Sequence, residues 1–160
     1  MPTSRPAPTS DKLSEILDYY SDVEELKDEM ETWLDSIPDS LQSSDKYSQI
    51  DDAVNTLESG YSGLEDACGG IKEILEKFPS ILDADVHYIE HKMYKGYQMP
   101  RWVRLANPVG AIEAMASHIE KLMPIEGMSE YDAEELKQHL SGIDDAVSGL
   151  NGVEFPSMYG

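Results

Sequence analysis

From Tyr47 to Phe78 the apolar residues alternate by three and four without a miss: Tyr47, Ile50, Val54, Leu57, Tyr61, Leu64, Cys68, Ile71, Leu75 and Phe78. A heptad sustained this long predicts a helix that packs against another helix along its full length. Gly60, Gly63, Gly69 and Gly70 lie on or beside the run, each costing about 1 kcal/mol relative to alanine in a helix interior. A bend or break is therefore expected near Gly69-Gly70.

The natural partner precedes it. Leu13, Ile16, Tyr20, Val23, Met30, Leu34 and Ile37 keep the same spacing from a start near Ser10 or Asp11, with Lys27 at one seam position, and Pro38 ends the run. The short loop "PDSLQSSD" then predicts a long antiparallel hairpin over residues 10–78. Residues 1–9, rich in Pro, Ser and Thr, read as a disordered lead-in. Pro79 opens a linking segment, 79–107, with Leu82, Val86, Ile89 and Met93 at helical spacing. Asn107-Pro108 is a helix-start signal, Asn as N-cap and Pro at the first helical position. A second, shorter hairpin follows over 108–151. Its first helix carries Val109, Ile112, Ala116, Ile119 and Met123 and stops at Pro124; its second opens at Ser129 with Asp132 and carries Leu136, Leu140, Ile143, Val147 and Leu150. Residues 152–160 form a tail whose Phe155, Met158 and Tyr159 are placed to dock on the bundle. "IDDAVNTL" at 50–57 and "IDDAVSGL" at 143–150 suggest two versions of one unit. The expected fold class is all-α, two antiparallel helical hairpins forming a bundle.

Charge bounds the function. The chain has 160 residues with 32 acidic and 12 basic side chains, a net charge of −20. Affinity for phosphates comes from Lys and Arg, so direct nucleic-acid binding is not expected, nor binding to an anionic membrane. Basic proteins are the partners such a surface attracts. Residues 11–90 carry a net −17 by themselves, and the first two helices have few lysines with which to form i,i+4 pairs. Self-repulsion is tolerated there, which suggests use. The carboxylates expected to bind a partner are Glu24, Asp28, Glu31, Asp35, Asp51, Asp52, Glu58, Glu65 and Asp66. Between 91 and 111 the sign reverses, with Lys92, Lys95, Arg101 and Arg104, no acid, and Tyr94, Tyr97 and Trp102 interleaved. Aromatics among cations can stack on bases, but flanked by so much acid this island is expected to dock on the chain's own carboxylates or on a partner; Lys92, Lys95, Arg101, Trp102 and Arg104 are its contact residues.

"ELKDEMETWLDSIPDSLQSSDKYSQIDDAVNTLES" resembles a recurring segment in acidic helical proteins of bacteriophages and bacterial mobile elements, carried here by Trp33, Asp35, Pro38, Leu41 and Gln42. Where those proteins commonly read "DNMPENLQ", this chain reads "DSIPDSLQ", which leaves the turn intact. The resemblance covers about a quarter of the chain and implies a helical hairpin and a phage or mobile-element setting.

Enzymatic signatures are thin. "HYIEH" fits the H-x-x-E-H pattern, which on a helix would turn His87 and His91 the same way to hold zinc with Glu90 as general base. The chain is small and offers no recognisable third ligand, so no metal is assigned, His87 and His91 being the residues that a zinc hydrolase would use. Neither Glu90 nor Glu135 has a His three residues on, so a di-metal carboxylate site lacks its motif; His118 and His139 read as ordinary helix residues. There is no phosphate loop and no nucleophile elbow. Cys68, the only cysteine, sits in an apolar seam. No cofactor is expected. The reading is a non-enzymatic, cytoplasmic binding protein that blocks a basic nucleic-acid-binding host protein, such as a restriction or CRISPR effector, by imitating nucleic acid. The alternative is an assembly protein self-associating through its heptads, a homodimer being one such form.

Overall fold

The computed structural model describes residues 5–92 and 99–156. Strand β1 (Arg5–Lys12) leads through a single turn, α1 (Leu13–Ile16), into α2 (Tyr20–Asp35); a 3-10 turn at Asp39–Leu41 precedes α3 (Asp45–Leu75). A further single turn, α4 (Pro79–Leu82), leads to strand β2 (Asp85–Lys92), and α5 (Arg101–Leu122) and α6 (Glu130–Leu150) complete the chain.

The heptad run forms α3, opened by Ser44, whose hydroxyl accepts the Tyr47 N–H at 3.2 Å. Its seam from Ile50 to Leu75 is buried apart from the half-buried Tyr61. Helix α2 runs antiparallel to it: Tyr20 stacks at 6.0 Å on Tyr61, while Asp18 lies 4.0 Å from Lys72. On its other side α3 receives α6, also antiparallel. The expected break at Gly69-Gly70 does not occur: α3 is continuous, and Gly60, Gly63 and Gly70 serve its packing. A side chain at Gly60 would collide with Leu150, one at Gly70 with His139, and one at Gly63 would meet the Ala146 Cβ at 3.1 Å. Losing the Cβ lets two backbones approach, and α6 uses that approach from His139 to Leu150. It is capped by Ser129, which accepts the Asp132 N–H at 3.1 Å.

The two hairpins thus do not stand apart. α2, α3, α6 and α5 succeed one another around a four-helix bundle, with α3 and α5 at opposite corners, and α6 lies chiefly on α3 rather than on α5. One core of buried Leu, Ile, Val, Ala and Met runs through it, joined by Leu13, Ile16 and Leu17.

An all-α fold is overturned by the antiparallel pairing of β1 with β2, Arg5 opposite Lys92 through Lys12 opposite Asp85. The lead-in expected to be disordered supplies β1 from residue 5 onward, and the helix expected to begin near Ser10 starts only at Leu13 and is interrupted before Tyr20. Val86 and Ile89, at helical spacing in the sequence, occupy opposite faces of β2, one buried and one exposed. Pro6 and Pro8 have no N–H to give a neighbour, which suits an edge strand whose positions 6 and 8 face outward.

Helix α5 begins at Arg101, ahead of the predicted Asn107-Pro108 start, and Pro108 lies inside it. Asn107 caps no helix. Its Oδ1 accepts the His91 N–H at 2.8 Å and its Nδ2 donates to the His91 carbonyl at 3.0 Å, so the side-chain amide behaves like one more residue paired on the free edge of β2. This pair of hydrogen bonds fixes the ribbon on α5. Phe155 packs half-buried against the core; Met158 and Tyr159 lie outside the described residues, as do Met93, Tyr94, Lys95 and Tyr97. No helix among the described residues is long and apolar enough to cross a membrane.

Candidate functional site

The antiparallel packing of α2 and α3 sets their outward carboxylates side by side. On α2, Glu24, Asp28, Glu31 and Asp35 recur at four, three and four; on α3, Asp51, Glu58 and Glu65 recur at seven, and all but the half-buried Glu24 and Asp51 are exposed. With 5.4 Å of rise per turn, these become two rows along one open groove. Two contacts tie the rows together. The Tyr61 hydroxyl donates to Glu65 of its own helix and lies within hydrogen-bonding reach of Glu24 on α2. These two carboxylates, Glu24 first, push the Tyr61 hydroxyl well above the usual phenol range. Lys27 sits 2.8 Å from Asp28 and 3.7 Å from Glu31, with Glu58 facing it from α3, and the bond to Asp28 chiefly raises its pKa. One ammonium therefore serves three carboxylates. Asp52 does not join this groove. It lines a recess with Thr56, Val153 and Glu154 toward α6, and Asp66, two heptads on, shares its stripe.

The helical part of the basic island is consumed within the chain. Arg101 donates to Glu29 Oε1 through Nε and Nη2 at 3.3 and 3.1 Å, and Arg104 reaches Oε1 and Oε2 through Nη2 and Nη1 at 2.9 and 2.7 Å. The bond from Arg104 leads in holding the Glu29 carboxyl below the usual carboxylate range. The Arg101 guanidinium also lies 4.9 Å over the Trp33 ring. Trp102 remains exposed, with His91 edge-on at 5.4 Å. Lys92 lies 4.0 Å from Glu90; Lys95 is outside the described residues.

The H-x-x-E-H reading loses its premise. His87, Glu90 and His91 lie on strand β2, where four residues span about 13 Å, so His87 and His91 cannot share one metal ion. Among the described residues no group of three or more His, Cys, Asp or Glu side chains is placed to hold a metal. Cys68 is buried, and that burial pushes its thiol up to about 12, the opposite of what a nucleophile needs.

A second feature escaped the sequence. Between α2, the ribbon and α5 lie two adjoining clefts of about 370 and 270 Å³ that share Asp22, Glu90, Asn107 and Pro108. Tyr19 and Tyr88 both donate to Asp11 Oδ2, at 2.5 and 2.6 Å, and Thr9 donates to Glu90 at 3.1 Å. Burial first, then the hydrogen bond to Asp11, raises both tyrosine hydroxyls; burial and the neighbouring Glu25 raise Asp22. The hydroxyls of Thr9, Tyr19 and Tyr88 are committed to Glu90 and Asp11, and these bonds join the two strands to each other and to the start of the bundle. The only sequence signal was alternation in "DVHYIE", which competed with an equally good helical spacing.

Against family models, curated proteins and solved structures the chain finds no match.

Proposed function

We propose that the chain is a non-enzymatic acidic binding protein that occupies the nucleic-acid-binding face of a basic partner, presenting the α2–α3 carboxylate rows in place of phosphates. The observation that carries this reading is the open groove in which Glu24, Glu31, Asp35, Asp51, Glu58 and Glu65 stand in two rows with Lys27 as the cation between them. A merely solvated face would mix signs, since interspersed charge serves solubility at less repulsion. The resemblance around Trp33–Gln42 is in keeping with a phage or mobile-element setting, for which a restriction or CRISPR effector would be a partner of matching chemistry. The alternative of self-association through the heptads is less favoured, because that seam is spent inside the chain.

The test has two stages. Immobilised protein captures its partner from bacterial lysate at low salt and releases it as ionic strength rises well above 0.15 M, where screening shortens the reach of exposed charge to under about 8 Å. The captured protein is then offered duplex DNA or RNA together with the chain. Mutual exclusion is expected; a partner that holds nucleic acid and the chain at once, or that ignores salt, refutes the proposal.

A further inference from the structure

One face of this molecule departs from its overall charge. Residues directly opposite in an antiparallel pair share a face, so Pro6, Pro8 and Ser10 of β1 look outward together with His91, Ile89 and His87 of β2. Ile89 is 59% exposed and Trp102, packed against His91, is 52% exposed. Trp102 continues the strip into an apolar groove of about 170 Å³ floored by Leu105, Val109 and Phe155, with no charged residue in its lining. The ribbon's other carboxylates, Asp11 and Glu90, turn inward to Tyr19, Tyr88 and Thr9. The only charges on the outer face of the described ribbon, Lys12 and Asp85, stand opposite each other at its far end. A contiguous exposed apolar strip of this kind marks an interaction surface.

We infer that this face is covered by the same face of a second copy of the chain, in a two-fold symmetric dimer. Charge selects the occupant. A basic partner is drawn to α2, α3 and α6, all of which carry exposed carboxylates, and an acidic partner finds no excess cation among the described residues of the strip. A second copy matches neutral to neutral and apolar to apolar across a two-fold axis. Because α3 lies at the opposite corner of the bundle from α5, the Asp51, Glu58 and Glu65 row stays at the far side of each protomer. Pro6 and Pro8 block pairing through the β1 edge, so contact runs through the faces and not through a continuous sheet.

The experiment is sedimentation equilibrium of the full chain, with far-UV circular dichroism as the check on folding. The mass of two chains is expected at about 100 µM, where a standard interface of micromolar affinity is mostly assembled. The variant combining Ile89→Lys with Trp102→Lys should be monomeric, its dissociation constant raised roughly thirtyfold or more. Both substitutions lower the net negative charge, so a rise in the overall repulsion between the two acidic chains cannot explain the loss. Tyr131→Lys, at a 74% exposed position on α6, should leave the dimer intact. If the double variant fails to fold, Ile89→Lys alone, on the open strand face, takes its place. A wild-type monomer at that concentration, or a folded Lys variant that still dimerises, overturns the inference. Neither outcome bears on the acidic groove, whose test reads partner capture.

Discussion

Glu29 takes both guanidiniums of the basic island, and its ionisation state therefore bears on the joint between α2 and α5. Its carboxyl titrates below the ordinary value, so the charged form is favoured in the folded chain. The stability it lends is present above the unfolded pKa of about 4.3 and is lost as pH falls through the lowered folded value. With the side chain 38% exposed, solvent screening holds that share to about 1 kcal/mol. Glu29→Gln should lose about that much in urea unfolding at neutral pH, and the gap to wild type should close as pH drops below about 4. A gap independent of pH would assign the effect to packing. Trp33 belongs to the same joint, half-buried against the core beneath Arg101. Trp33→Ala is expected to cost about 2 kcal/mol, less than a fully buried ring, while partner capture is retained. Normal stability with lost capture would make it a binding anchor instead.

The helix α3 and its neighbours show which parts of the fold a sequence can display. Gly69 has nothing within 4 Å of a built Cβ, whereas Gly60 faces the buried Leu150. Gly69→Ala should therefore gain roughly 0.5–1 kcal/mol from helix propensity alone. Gly60→Ala should lose roughly 1–3 kcal/mol, because overpacking exceeds that gain. Thermal melting of the two variants checks the sign; equal shifts would mean that α6 does not press on α3 at Gly60. Periodicity alone located α3, α6 and most of α2, since one buried stripe per helix is a local signal. It could not say that α6 lies on α3, because the glycines that permit the approach read locally as helix breakers. The ribbon was hidden for a related reason. Its two strands are about 80 residues apart, β1 is rich in proline, and "ILDADVHYIE" satisfies helical and strand spacing at once. Asn107-Pro108 carried a true helix-start composition, but Pro100 and the ribbon contact of Asn107 overrode it.

At the scale of the whole molecule, −20 charges on one bundle set long-range behaviour that no single side chain controls. The nine carboxylates singled out from the sequence divide in the structure, with Glu24, Asp28, Glu31, Asp35, Asp51, Glu58 and Glu65 along the α2–α3 groove and Asp52 and Asp66 on the stripe toward α6. Sequence spacing yielded the rows; only the packing of α2 on α3 shows which rows adjoin. If the groove acts as a phosphate track, its attraction is a sum of exposed pairs worth typically under 1 kcal/mol each. Asp51→Asn or Glu58→Gln alone should then leave partner affinity nearly unchanged. Converting the seven groove acids together to amides should abolish most capture and raise the melting temperature in low salt, since self-repulsion falls while the apolar seam is untouched. Converting only Asp52 and Asp66 should do neither to a comparable degree. Affinity and melting measured across these variants decide the point: abolition by one single amide substitution would locate a discrete pocket, and full binding by the sevenfold variant would remove the acidic groove from the function altogether.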